Sequence, residues 1–437
     1  MNNTQSLNVP RIVRAWCMFD WANSVYSLTI TSAIFPVYYQ AVTTQADGSD
    51  VVDFFGMSLT NSVLYSYAIS ASFLLIAPML PLLSGMADYV GNKKIFMKGF
   101  VYIGGLACTG LYFFNGSNIE WGILCSMLAS IGYAGSVVFY DAFLPEIVTH
   151  DRLDSTSARG YTYGYFGGVV LLIINLILIM RWSDFGFPDE GSATRFAFLT
   201  VGLWWIGFSQ ITFYHLPDNP YGRKSEGHVL FNGYRELMKV WRSLPSYPAL
   251  GRYLLAYFFF NMGVQTVMYL AATFGAKELK LEDSKLILTV LLIQLVGSAG
   301  AAFFARVSAH KGNKPTLMIM IGIWIVICFL AYMTTNEYHF YGVAFMVGLV
   351  MGGLQSLSRA TYSKLIPSDT IDHASYFSFF DVTFTLSIVC GTFSYGLIDH
   401  LTGSMRNSTL VLAGFFVVGM LLLTRVHSPA ITRKIAD

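Results

Sequence analysis

Gly85-Met86-Ala87-Asp88-Tyr89-Val90-Gly91-Asn92-Lys93-Lys94 is a short polar turn between the second and third of twelve apolar stretches. A fainter copy, Arg306-Val307-Ser308-Ala309-His310-Lys311-Gly312-Asn313-Lys314, follows the eighth stretch. It places Gly91 on Gly312, Asn92 on Asn313 and Lys93 on Lys314, a shift of 221 residues. Leu144-Pro145 ends the fourth stretch and Ile366-Pro367 the tenth, at a shift of 222. The chain is therefore a tandem repeat of two six-stretch units, the internal symmetry that secondary transporters carry.

Composition sets the solvent. The 437 residues are 54% hydrophobic and 12% charged, with mean hydropathy +0.54. Soluble domains carry about 25% charged residues. Many windows exceed the ~20 apolar residues that cross the hydrocarbon core as a helix. They do not alternate polar and apolar as a barrel strand does. The reading is an all-α polytopic membrane protein embedded in a lipid bilayer. A formal net charge of +2 implies no nucleic-acid partner. Met1 to Pro10 is polar without a basic region, and the first stretch is too long for a signal core, so it reads as a retained span. Cys17, Cys108, Cys125, Cys328 and Cys390 fall in apolar runs without metal-ligand spacing, and read as packing residues.

The spans are expected at 14–42, 58–83, 94–114, 119–143, 158–180, 193–214, 250–274, 284–305, 315–335, 339–364, 374–398 and 406–426. That divides the chain into a six-helix half (1–214), a central linker (215–249) and a second six-helix half (250–437). In the linker, Tyr234, Leu237, Met238, Trp241 and Leu244 recur at helical spacing, opposite Arg235, Glu236, Lys239 and Arg242. Asn232 could cap this helix and Pro245 stops it. It reads as a short amphipathic helix, either on the membrane surface or in solvent. Only Arg181, Arg195, Lys277, Lys280, Lys285 and Arg406, of 27 basic residues, fall on the side of the odd-numbered gaps. Both termini, both polar turns and the linker are thus expected in the cytoplasm.

The 85–94 turn resembles the loop between helices 2 and 3 of the major facilitator superfamily. Asp88 can accept hydrogen bonds from a neighbouring helix end, Gly91 permits a tight turn, and Lys93-Lys94 suit the cytoplasmic interface. The pattern departs from that family at Ser84, Tyr89 and Asn92, and Ala309 replaces the acid in the second copy. Phe19-Asp20-Trp21-Ala22-Asn23-Ser24 is similar to the opening of one branch, the autophagy-related vacuolar effluxers of fungi and their bacterial relatives. Phe143-Leu144-Pro145-Glu146, Ala158-Arg159-Gly160-Tyr161, Gln355-Ser356-Leu357-Ser358-Arg359 and Phe380-Asp381-Val382 also fit it. The resemblance covers nearly the whole chain. It implies a major facilitator fold of twelve transmembrane helices in two pseudo-symmetric halves, and a solute transporter. Amino-acid efflux from the vacuole is proposed for fungal members.

Three acids fall within spans: Asp20, Asp141 and Asp381. A charge at the membrane centre costs roughly 2.5–3.5 kcal/mol on insertion scales, so each needs a partner, a watery cavity or a proton. Arg359 and Asp381 lie at similar depth in spans 10 and 11 and are expected to pair. Arg159 is expected to pair with Asp141 or Glu146. Such pairs, and Asp88, either couple transport or latch the two halves in one state. Asp20 opens a stripe, with Asn23, Ser27 and Thr31 at +3, +7 and +11, that should face a cavity. It is the first candidate for a proton-coupling carboxylate, against a static anchor or, less favoured, a sodium site. The histidines lie in loops or at helix ends, which argues against a histidine relay.

In the family this chain resembles, helices 1, 4, 7 and 10 line the cavity, helped by 2, 5, 8 and 11. Candidate solute contacts on those helices are Asn23, Ser27, Asn61, Tyr65, Tyr133, Tyr140, Tyr165 and Asn175 in the first half. Asn261, Gln265, Tyr269, Gln294 and Gln355 are the candidates in the second. Amides, hydroxyls and tyrosines suit a small polar or zwitterionic solute, though helix–helix hydrogen bonding uses the same residue types. The glycines at 167–168, 297–300 and 348–353 lie in apolar spans without a following Lys-Ser/Thr, so they read as helix-packing positions, not phosphate loops. No metal or cofactor site is expected. The reading is a monomeric, proton-coupled carrier of a bacterial inner membrane. The alternatives are a non-transporting receptor on the same scaffold and a membrane-embedded enzyme built on Asp20, Asp381 and Arg359.

Overall fold

The computed structural model describes residues 7–427 other than 46, 220, 224–227, 282 and 403–404. It describes the side chains of these residues except those at 62, 66, 70, 269, 270, 272, 273, 276, 277, 283, 284, 396, 399, 400 and 405. The first span is not the single helix expected. It runs as α1 (Pro10–Val25), a π-helical segment (Tyr26–Ala33) and α2 (Phe35–Thr43). Pro36 has no N–H to continue the ladder, and the turns before it widen, with the Ile34 N–H reaching the Thr29 carbonyl at 2.8 Å. The gap before the second span holds a hairpin that was not expected: β1 (Val51–Phe54) pairs antiparallel with β2 (Met57–Thr60). Its two-residue turn, Phe55-Gly56, has positive φ at both positions, as the twist of such hairpins requires.

The remaining helices of the first half are α3 (Asn61–Val90), α4 (Lys93–Gly110), α5 (Ile119–Asp141), the short α6 (Leu144–Ile147), α7 (Leu153–Met180) and α8 (Glu190–His215). The linker carries α9 (Val229–Ser243). The second half is α10 (Pro248–Leu279), α11 (Asp283–Lys311), α12 (Asn313–Met333), α13 (Glu337–Leu365), α14 (His373–Thr402) and α15 (Met405–Thr424). Among the described residues, ten helices are long and apolar enough to cross a membrane. The composite first span and α10 complete the twelve. The halves repeat one packing scheme: α1 lies against α7 and α8 as α10 lies against α14 and α15, and α4 against α5 as α12 against α13. The glycine runs do bring helices together. A Cβ on Gly300 would sit 2.0 Å from the Leu349 carbonyl oxygen, and one on Gly352 2.1 Å from that of Gly297.

The repeated turns build the face of the molecule that carries the linker, here termed the linker side. Gly91 ends α3 with φ +74°, and Asn92 caps α4 through Oδ1 to the Ile95 N–H at 3.3 Å. Lys93 and Lys94 do not lie in the interface as expected. Both are buried: Lys93 pairs with Glu146, and Lys94 meets Asp218 at 2.8 Å and the Phe213 and Leu216 carbonyls. The linker helix begins earlier than expected, after His228. Asn232 is not its cap; its side chain donates to the Tyr89 hydroxyl at 2.8 Å. Gly233 lets the helix settle on α3, where a Cβ would meet Met86 at 2.5 Å. Leu230, Phe231, Tyr234 and Trp241 stay exposed on an adjacent strip.

The halves meet along α3 with α14, and α7 with α11 and α13. Among the described residues, every ion pair that joins the first half or the linker to the second half lies on the linker side. That side is closed.

Candidate transport site

Helix α13 carries Arg359, and the interface drives its side chain into the first half. Its Nη1 donates to Asp141 Oδ1 at 2.8 Å, and its Nη2 lies 3.4 Å from Asp20 Oδ2. Its Nε donates to the Ser157 hydroxyl at 3.0 Å, and Nη2 also donates to the Ser157 carbonyl at 3.1 Å. Trp16, Tyr140 and Tyr161 present their rings to the guanidinium, with centroids at 4.8, 5.4 and 4.5 Å. The side chain is 3% exposed. A buried guanidinium needs opposite charge and hydrogen-bond acceptors, and here each of its three nitrogens has an acceptor and two carboxylates lie beside it. The side chains of the box also hold one another. Tyr140 donates to Asp20 Oδ2 at 2.6 Å, and Trp16 stacks on Tyr140 at 4.4 Å while donating to its carbonyl. Only glycine fits at 160, where a Cβ would lie 2.5 Å from Asp20 Oδ2.

Two further joints seal the linker side. Asp88 receives the N–H groups of Ala374 and Ser375, at 3.2 and 2.7 Å, in the first turn of α14. This is the helix-end contact expected of it, made across the two halves, and it sets a negative charge at a helix N-terminus. In the repeat-related position, Asp154 of α7 takes Lys364 Nζ at 2.7 Å, Asn313 Nδ2 at 2.8 Å and the Ser308 hydroxyl at 3.1 Å. The acid missing from the second turn is thus supplied from the other half. The linker adds a strap. Arg223 donates to the Asp88 carbonyl and meets Asp372 at 2.5 Å. Lys239, 3.4 Å from the same carboxylate, is held above the ordinary lysine range chiefly by that charge.

Above Arg359 a cavity of about 250 Å³ separates the halves. It reaches from Arg359 and Asp381 past Tyr133 and Gln294 to Ser32, which is exposed. The stripe of Asp20, Asn23, Ser27 and Thr31 lines it as expected, and so do Tyr65, Tyr133, Tyr165, Gln265, Gln294 and Gln355. Tyr165 donates to Gln355 across the halves at 3.1 Å. Arg359 is the one basic residue among the described lining residues.

Other expected contacts lie elsewhere. Asn61 binds the Thr43 hydroxyl at the start of α3, Asn175 accepts from Thr200, and Asn261 donates to Ser387 at 2.6 Å. All three are buried in helix packing, and Tyr140 lies behind the cavity wall in the Arg359 box. The side chain of Tyr269 lies outside the described residues. The expected Arg359–Asp381 pair is absent: Arg359 turns to the other half, and Asp381 Oδ2 is buried without a hydrogen-bond partner. Arg159 pairs with neither Asp141 nor Glu146. It is exposed over Tyr163, because Arg359 and Lys93 already hold those two acids. Sequence reasoning missed Trp16, Ser157, Tyr161, Asp154 and Lys364. The first three sit one helical turn from Asp20 or in the Ala158-Arg159-Gly160-Tyr161 neighbourhood, a signal that could have flagged them.

Residues 8–434 match the family described as "Vacuole effluxer Atg22 like". The chain is 30% identical over 417 residues to the "Uncharacterized MFS-type transporter YxiO" of Bacillus subtilis, covering 94% of each protein. It is 24% identical over 478 residues to "Autophagy-related protein 22-2" of Aspergillus fumigatus, covering 87% of this chain and 76% of that one. In fold it is similar to FucP, a major facilitator superfamily transporter in the outward conformation, with TM-score 0.71 and 11% identity over 96% of this chain and 99% of that one. The proton:xylose symporter XylE gives TM-score 0.71 at 12% identity over 97% and 96%.

Proposed function

Because the chain belongs to the Atg22-like vacuole effluxer family of transporters, we propose that it is a secondary carrier working by alternating access. Residues 1–214 and 250–437 rock against each other about the 215–249 linker. The linker side is the cytoplasmic side of a bacterial inner membrane, with both termini there, and the monomer is the working unit. One observation carries this reading: Arg359 of one half is seated in a carboxylate and aromatic box of the other, and closes one end of a cavity that both halves line. Opening the cytoplasmic side must withdraw Arg359. That leaves Asp20 and Asp141 without their counter-charge, and a buried carboxylate without a partner takes up a proton. Asp20, which also lines the cavity, is the coupling group.

The solute is a small polar compound, an amino acid or a relative of one. Uptake of a pooled amino-acid, amine and dipeptide library into proteoliposomes, with and without an imposed pH gradient, tests the reading. Gradient-dependent accumulation of one compound supports it. Binding without flux favours a receptor. Flux that ignores the gradient removes the proton.

A further inference from the structure

Asp381 is the unpartnered acid in the cavity. It lies on α14 and is 9% exposed, lines the cavity, and has a buried Oδ2 without a hydrogen-bond partner. Among the described residues it makes no ion pair. Arg359 makes no hydrogen bond or ion pair with it among the described residues; its side chain turns to Ser157, Asp141 and Asp20 instead. No other Lys, Arg or His lines the cavity among the described residues. The wall beside Asp381 is aromatic. Phe380 precedes it and stacks on Tyr257 at 4.3 Å, and Phe384 and Thr385 follow one turn on, also lining the cavity.

The geometry points to Asp381 and its aromatic wall as an ammonium subsite that binds the protonated amine of an organic solute and gives its carboxylate, if it has one, no basic partner. The inference rests on the carrier reading above and narrows its substrate class from amino acids and their relatives to amines. Three observations converge on it. The cavity holds three carboxyl groups against one guanidinium, so an arriving cation has an acid to pair with and no second resident cation to compete with it among the described lining residues. Arg359 is engaged by the two on the first half, which leaves Asp381 as the acid free to accept an ammonium. Aromatic rings favour an organic ammonium, and a sodium ion would need several more oxygen ligands than Asp381 and Thr385 offer.

The test is equilibrium binding to the full-length protein in nanodiscs. Three matched sets share a carbon skeleton within each set: phenethylamine, phenylalanine and 3-phenylpropionate; isopentylamine, leucine and 4-methylpentanoate; and putrescine, ornithine and glutarate. In at least one set the amine is expected to bind most tightly and the acid not at all. Asp381→Asn, which keeps size and shape, is expected to weaken the amine about 30-fold or more. Asp381→Glu is expected to keep the order of preference. Tighter binding of an acid or amino acid than its amine, no amine binding in any set, or unchanged amine affinity in a folded Asp381→Asn protein overturns the inference. Proteoliposome flux separates the two readings. Transport of a compound without an amine leaves the carrier standing and removes the subsite. Amine binding without flux leaves the subsite standing and removes the carrier.

Discussion

Arg359→Ala is the sharpest perturbation of the closed linker side. It deletes a guanidinium that bridges Asp141, Asp20 and Ser157 and is covered by three aromatic rings. Removing one partner of a buried ion pair costs about 3–5 kcal/mol, because the other charge stays buried alone. In the opposite state that the alternating-access proposal requires, the halves part here and protonation relieves the carboxylates. The wild type has no such contact to lose in that state, so the penalty falls on the closed state. At 1.4 kcal/mol per factor of ten, the equilibrium shifts by roughly 10²–10⁴ toward opening on the linker side.

Ser356→Cys reports that shift. The Ser356 side chain is buried at this joint, and its carbonyl accepts the Ser157 hydroxyl at 2.7 Å. With Cys17, Cys108, Cys125, Cys328 and Cys390 replaced, a bulky hydrophilic maleimide reacts at 356 only when the linker side opens. Arg359→Ala is expected to raise the labelling rate in nanodiscs about 100-fold, or to the limit set by full exposure. Arg359→Lys keeps the charge but not the planar fork, and should fall between. An unchanged labelling rate in monodisperse Arg359→Ala protein would refute the claim that Arg359 holds this side shut.

Gly160→Ala places a methyl 2.5 Å from Asp20 Oδ2 and 3.0 Å from Arg359 Nη2, so it should disturb the same box by about 1–3 kcal/mol and speed labelling at 356 without lowering expression. Asp88→Ala removes the charge and both acceptors at the start of α14, worth about 1–2 kcal/mol, and should raise labelling of Ser375→Cys. Asp154→Ala and Lys364→Ala should each open the second joint. Because they share one contact, the double variant should open little further, with a coupling of about 1 kcal/mol or more in a double-mutant cycle. Gly300→Val drives a side chain into the Leu349 backbone carbonyl, and should abolish a monodisperse peak on size exclusion where Gly322→Val, with open space around it, does not.

The fold was legible because the bilayer demands it. Every backbone group in hydrocarbon must be satisfied within its own helix, so length and hydropathy nearly suffice to place twelve spans. The repeated turns then pair the halves: Gly91 and Gly312 both adopt positive φ, and Asn92 and Asn313 begin their helices. Local exceptions were less visible. The π segment in the first span depends on how Tyr26 to Ala33 pack as well as on Pro36. The hairpin at 51–60 rests on a Phe55-Gly56 turn whose positive φ at Phe55 no propensity favours.

The site was legible by depth and not by direction. A helix rises 1.5 Å per residue, so sequence position gives depth in the membrane directly. Asp20, Asp141, Asp381 and Arg359 do share one zone. Which of them meet depends on how two separately folded halves face each other, and no register ties residue 359 to residue 20 or 141. Within a half, side-chain reach sorted the amides. Asn61, Asn175 and Asn261 are short and found partners on the nearest helix. Gln265, Gln294 and Gln355 are one methylene longer and line the open space between the halves. Asn23 is the exception that fits the rule's cause: it sits on the Asp20 stripe, whose periodicity already pointed at the cavity. A polar residue in a span therefore reads as a cavity residue when its neighbours at +3, +4 and +7 are polar too, and as packing when a partner lies within reach on the adjoining helix. By that criterion Asp381, followed at +4 by Thr385 and with its Oδ2 unpartnered among the described residues, belongs to the cavity.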